Sequence, residues 1–283
     1  MNLYRRWNNS PKIQIFVAKM AIMKYSYLAI TLFLFLSCGA PKEKPLTAQE
    51  IVDKAIEVAG GGLYRSNRID FKFRGVSYRS CLENGKKVLI RIIETDTATI
   101  VDKRAGNAFT RMVNGLVQQL PDSTENKFSN SVNSVHYFAY LPYGLNSPAV
   151  HKELLGKTTI REKEYYKIQV TFSESGGGED FEDVFVYWFN TETFRPDYLA
   201  YMYHTNGGGV RFREAVNDRQ IGGIYFADYR NYRPLDSVSV TLMDSLFLID
   251  RLEEFSRIEL EEIQVSPDNC NLSEAGTKTT ENL

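Results

Sequence analysis

Three histidines, His136, His151 and His204, are the only imidazoles in the chain, and their spacing fits no metal-ligand pattern of the HExxH kind. Gly75-Val76-Ser77 opens a GxSxG nucleophile elbow, but Arg79 stands where the closing glycine belongs. The glycine-rich stretches 175–179 and 206–209 lack a following Gly-Lys-Ser/Thr and lead into strands, so they read as hairpin turns rather than phosphate loops. Glu179-Asp180-Phe181-Glu182-Asp183 is acidic without the alternating ligands of a calcium loop, and reads as a solvated hairpin. The expectation is no catalytic residue, no metal and no cofactor, with an enzyme the weakest of three functional classes.

The groups best placed for recognition are basic. Arg211 and Arg213 share one face of a strand, and His204 ends the strand before it, across the same glycine-rich turn. Together they could meet a carboxylate or phosphate head group at the mouth of a cavity. The alternative is that both arginines face water or pair with Glu214 and Asp218. Phe128, Tyr137, Phe138 and Tyr140 recur along one segment, and Trp188 and Ala200 lie in apolar runs. These either line an apolar pocket or form plain core. Cys81 and Cys270 could pair in an oxidising compartment, their geometry being open at this level.

Lys and Arg number 34 against 35 Asp and Glu in 283 residues, which argues against a nucleic-acid surface. The balance is uneven along the chain. Residues 1–37 hold Arg5, Arg6, Lys12, Lys19 and Lys24 and no acid, then the apolar run Tyr25 to Ser37. A basic start and a short apolar run form a signal peptide. The run is too short to span a bilayer, which takes about 20 residues. Met23-Lys24 would itself make a start, leaving residues 1–22 as an over-extended frame or a long leader. Leu36-Ser37-Cys38-Gly39 resembles a bacterial lipobox, which implies acylation of Cys38 and a membrane anchor made of acyl chains. Residues 38–46 are then a short tether. With the five leader bases gone, 29 bases face 35 acids, a body of about −6 that would not cling to anionic lipid by charge.

Thr47-Ala48-Gln49-Glu50 is a capping box opening a helix with Ile51, Ala55, Ile56 and Ala59 on one stripe, ended by Gly60-Gly61-Gly62. Alternation then predicts antiparallel strands around 69–73, 88–92, 97–101 and 109–120, with turns at Asn84-Gly85 and Asn114-Gly115. Residues 123–140 switch to helical spacing. Strands resume at 158–161, 165–172, 182–189, 198–204, 210–216 and 224–229. A last strand covers 257–265, with a bulge between Leu260 and Ile263. The domain spans 47–265, and 266–283 is a polar tail.

Val184, Val186 and Trp188 alternate with Phe185, Tyr187 and Phe189, and Tyr198 to Tyr203 is apolar on both sides. A sheet with one wet face would alternate cleanly. The expected fold is therefore mainly β with a helical lid: a curved antiparallel sheet in an incompletely closed barrel, helices on its concave face. The lipobox followed by TAQEIVDKAIEVAGG, and the meander interrupted by a helix, resemble the periplasmic lipoprotein carriers and receptors. The run from Tyr198 to Pro234 is similar to an uncharacterised family of Bacteroidota outer-membrane lipoproteins with that fold. The resemblance implies a lipid-anchored envelope protein, outer-membrane and periplasm-facing, that binds an acyl chain, lipid or lipoprotein in its cavity. The rival is a non-catalytic interaction lipoprotein whose core is filled by its own side chains.

Overall fold

The computed structural model describes residues 44–175, 181–204, 207–236, 238–267 and 270. The expected leader, Cys38, most of the expected tether, residues 176–180 and residues 271–283 lie outside the described residues. The described residues from Leu46 onward belong to one compact unit.

Helix α1 (Ala48–Val58) starts as its capping box dictates: Glu50 donates its backbone N–H to Thr47 Oγ1 at 3.2 Å and accepts from the Thr47 N–H at 2.7 Å. A single turn, α2 (Leu63–Ser66), leads into β1 (Asn67–Phe73), β2 (Val76–Glu83), β3 (Lys86–Glu94), β4 (Thr99–Ala105), β5 (Ala108–Val113) and the stub β6 (Leu116–Val117). Asn84-Gly85 and Asn114-Gly115 both take positive φ, as two-residue hairpin turns require. Helix α3 (Asp122–Ala139) follows, then β7 (Val150–Ile160), β8 (Lys163–Phe172), β9 (Val184–Asn190), β10 (Pro196–Tyr203), β11 (Gly209–Ile221) and β12 (Ile224–Pro234). Helix α4 (Met243–Leu248), β13 (Leu252–Ile258) and β14 (Glu261–Pro267) follow.

The strands form two open seven-stranded sheets, ordered β14-β1-β2-β3-β4-β5-β6 and β13-β12-β11-β10-β9-β8-β7, antiparallel throughout. The expected last strand is in fact two. The chain leaves the second sheet after Ile258 and joins the first at Glu261. The bulge appears within β14, where the register against β1 shifts between Gln264 and Glu261 and Glu262 takes a φ of 51°.

Three further stretches depart from expectation. β7 is much longer than 158–161. Its Lys, Glu and Thr side chains are those of an edge strand, which hides an apolar alternation. β11 continues beyond Val216 through a bulge at Asn217, whose φ is 49°. Helix α4 was not expected, although Val240, Met243 and Phe247 bury one helical stripe.

Helices cover three faces. α1 lays Ile51, Val52 and Ala55 on Tyr187, Phe189, Leu199 and Tyr229 of the second sheet. α3 lays Val135 and Ala139 near Phe71 and Tyr78 of the first. α4 seals the opposite face of the second sheet, over Trp188, Ala200 and Phe212. The β11–β12 turn presses against β14: a Cβ on Gly222 would come within 2.6 Å of Val265 Cβ, so only glycine fits. On the outer side of the first sheet, Cys81 and Cys270 form a disulfide with Cα atoms 5.4 Å apart.

Candidate functional site

Alternation along β9, β10 and β11 decides which side chains meet. Tyr201 pairs with Phe185 and with Arg211; Leu199 pairs with Tyr187 and with Arg213. Their side chains share one face. Ala200 pairs with Val186 and Phe212, and Tyr198 with Trp188, on the other. The first face opens into a cavity of about 580 Å³, roofed by Tyr137 and Phe138 of α3 and walled by Phe73, Phe172, Phe185, Tyr201, Tyr203 and Phe255. The rings contact one another: Phe185 lies 5.4 Å from Tyr201 and 5.7 Å from Phe172, and Phe73 lies 5.2 Å from Phe138. Burial pushes the Tyr137 phenol up to about 12, so it is neutral across the physiological range.

The polar groups of the cavity are few. Arg213 donates Nη2 to the Tyr201 hydroxyl at 3.0 Å, and its guanidinium lies 5.5 Å from the Phe138 ring. Arg211 donates to the Val210 carbonyl at 2.9 Å and stacks between Tyr203 and Phe255, at 5.2 and 5.1 Å. Gly209, with a φ of 150°, allows this approach, since a Cβ there would sit 3.0 Å from the Tyr203 hydroxyl. Asp183 also lines the wall and faces His204 at the rim, Nδ1 to Oδ1 3.4 Å.

Of the nine residues expected to bind a ligand, Tyr137, Phe138, Arg211 and Arg213 line this cavity. His204 stands at its rim through Asp183. The other four lie elsewhere. Trp188 and Ala200 are fully buried under α4, with the indole N–H donated to Asp244 at 3.1 Å. Tyr140 is core, donating to Ser80 Oγ at 2.9 Å. Phe128 stacks on Arg111, 3.5 Å from ring centre to guanidinium, outside the cavity. Neither expected acid serves the arginines: Glu214 points to the opposite face and pairs with Arg161 at 2.5 Å, and Asp218 pairs with Arg195. Phe73, Phe185, Tyr201, Tyr203 and Phe255 were not foreseen. The signal for three of them was the register, since Phe185, Tyr201 and Tyr203 share parity with Arg211 once the hairpins are paired.

The fold also carries a buried polar seat for α3. Asp102, fully buried, accepts from Arg91 at 2.6 Å and from Arg111 at 2.6 Å, and Arg91 reaches Ser131 of α3 at 2.8 Å. His136 of α3 is buried beside Ile90 O and the Tyr140 hydroxyl, at 3.2 Å each, and burial drives its pKa down to about 3. It is a neutral core residue, not a ligand.

Residues 86–258 match the model of a family of unknown function (DUF6503). The chain belongs to that family. No curated protein sequence matches it. Among solved structures, this family member is similar to a LolA superfamily protein from Nitrosomonas europaea, with 14% identity, 83% of this chain and 99% of that one covered, and a TM-score of 0.44. A DUF1329 family protein from Desulfovibrio piger matches at 11% identity, 82% and 97% coverage and a TM-score of 0.43. Lipoprotein LppX of Mycobacterium tuberculosis matches at 12% identity, 56% and 87% coverage and a TM-score of 0.26.

Proposed function

We propose that this protein is a lipid-anchored envelope protein that holds a hydrophobic ligand, an acyl chain or lipid, in the cavity beneath α3. The observation that carries the reading is the cavity itself: about 580 Å³, walled by eight aromatic side chains and left open by the residues around it. Single-ligand sites span about 300–1,000 Å³ and are mostly apolar with a few placed polar groups. The rival reading, a core filled by the protein's own side chains, describes the opposite face, where α4 covers Trp188 and Ala200.

The anchor is proposed from Cys38 and the apolar run before it, and the outer-membrane, periplasm-facing placement from Gly39, which puts no acid directly after Cys38. The Cys81–Cys270 disulfide supports an oxidising compartment. Cys38→Ala should abolish acyl labelling and release the protein from membrane pellets; labelling that persists would end the anchor reading. Cavity binding is tested by titrating purified protein with a fluorescent fatty acid. Saturable uptake at one site is expected, and no uptake by folded protein would reject the carrier reading.

A further inference from the structure

Among the described residues the cavity lining carries more cations than carboxylates. Among the described residues Arg74, Arg211 and Arg213 line it with one carboxylate, Asp183, which faces His204. Among the described residues Arg211 and Arg213 have no carboxylate partner; their hydrogen bonds go to a carbonyl and a phenol. Stacking on aromatic rings holds each guanidinium plane and leaves donor edges for a ligand. The two arginines are two residues apart on one strand face, about 6.5–7 Å along the backbone, so an oxyanion with several oxygens can bridge them.

A second observation points to the same place. Arg213 on β11 stands opposite Asn231 on β12, which stands opposite Ser256 on β13. This polar row crosses one wall of an otherwise aromatic cavity. Asn231 is 6% exposed and donates Nδ2 to Ser256 Oγ at 3.1 Å. Among the described residues its Oδ1 and the Nε of Arg213 are both buried without a hydrogen-bond partner. Folded proteins leave few such atoms, and the Arg213 Nε is a further unused donor on the same guanidinium, of the kind an oxyanion head takes.

We infer that the ligand is an acidic amphiphile: its chain lies among the aromatic rings and its oxyanion head, carboxylate or phosphate ester, is held by Arg211 and Arg213. This rests on the reading of the cavity as a ligand site and names the class of ligand. A guanidinium in a partly apolar wall strongly favours an anion over a neutral or cationic head.

The test uses probes that share one dodecyl tail and differ in the head: laurate, dodecyl phosphate, dodecanol and dodecyltrimethylammonium. Each is titrated calorimetrically into the purified protein below its micelle concentration. Laurate or dodecyl phosphate should bind about tenfold or more tightly than dodecanol, and the cationic probe most weakly. In the Arg211→Gln/Arg213→Gln double variant the preference for acidic heads over dodecanol should vanish, with a cooperative melting curve showing that the variant is folded. Equal binding of all heads, or equal loss of laurate and dodecanol in the variant, would overturn the inference. So would inorganic phosphate binding as tightly as dodecyl phosphate, which would mark a free-anion site. Failure of every probe would instead reject the cavity as a ligand site.

Discussion

Ala200 and Arg211 lie on opposite faces of one sheet: Ala200 pairs with Phe212, so the residue beside Arg211 in sequence belongs with Ala200 and Arg211 itself does not. A strand has period two, and this one step separates a packed wall under α4 from the wall of the cavity.

Ala200→Trp therefore tests packing and not binding. Ala200 is fully buried against the α4 face. The larger side chain should cost about 1–3 kcal/mol or more in urea unfolding. Uptake of a fluorescent fatty acid by the folded fraction should stay near that of the wild type. A selective loss of uptake would put Ala200 on the cavity side.

Ser134→Trp probes the cavity from its rim. Ser134 is exposed on α3 and lines the opening, with its hydroxyl donated only to the Ser131 carbonyl at 3.1 Å. Stability should change by no more than about 0.5 kcal/mol, as at ordinary surface positions. Uptake should fall several-fold, read by fluorescence titration beside a melting curve.

His136 makes stability depend on pH. Its folded pKa is about 3, while the unfolded chain takes a proton near its ordinary value of 6.5. Between these values the unfolded state binds more protons, so stability falls as pH drops from about 6.5 toward 3. The slope from this residue is about 1.4 kcal/mol per pH unit in the middle of that window. Urea melts at a series of pH values should show it, and His136→Gln should flatten the curve there whatever its effect at neutral pH.

The Cys81–Cys270 disulfide spans 189 residues and ties Cys270, beyond β14, to β2 on the outside of the first sheet. Removing both cysteines should cost about 2–5 kcal/mol, mostly through the freer unfolded chain. Denatured, unreduced protein should show no free thiol from this pair, and two such thiols would show them unpaired.

Much of the fold was legible in the residues. The capping box, the Asn-Gly turns and the switch of period at α3 each follow from local chemistry. What escaped was non-local or masked. β7 is an edge strand written in polar residues, β11 hides a bulge at Asn217, and the break near Glu259 divides one apparent strand between two sheets. The site was half legible for a related reason. Arg211 and Arg213 could be placed on one face by parity, but Trp188 could be placed only after β9 and β10 were in register. Asn231 and Phe255 reach the cavity through β12 and β13, whose pairing no short-range pattern announces.

The most direct test is native mass spectrometry of the purified protein, with organic extraction of whatever it carries. An adduct of about one amphipathic molecule per chain is expected, lost or reduced in Ser134→Trp and kept in Ala200→Trp. Protein that carries no adduct, and that takes up no fatty acid when supplied with it, would contradict a ligand-holding cavity.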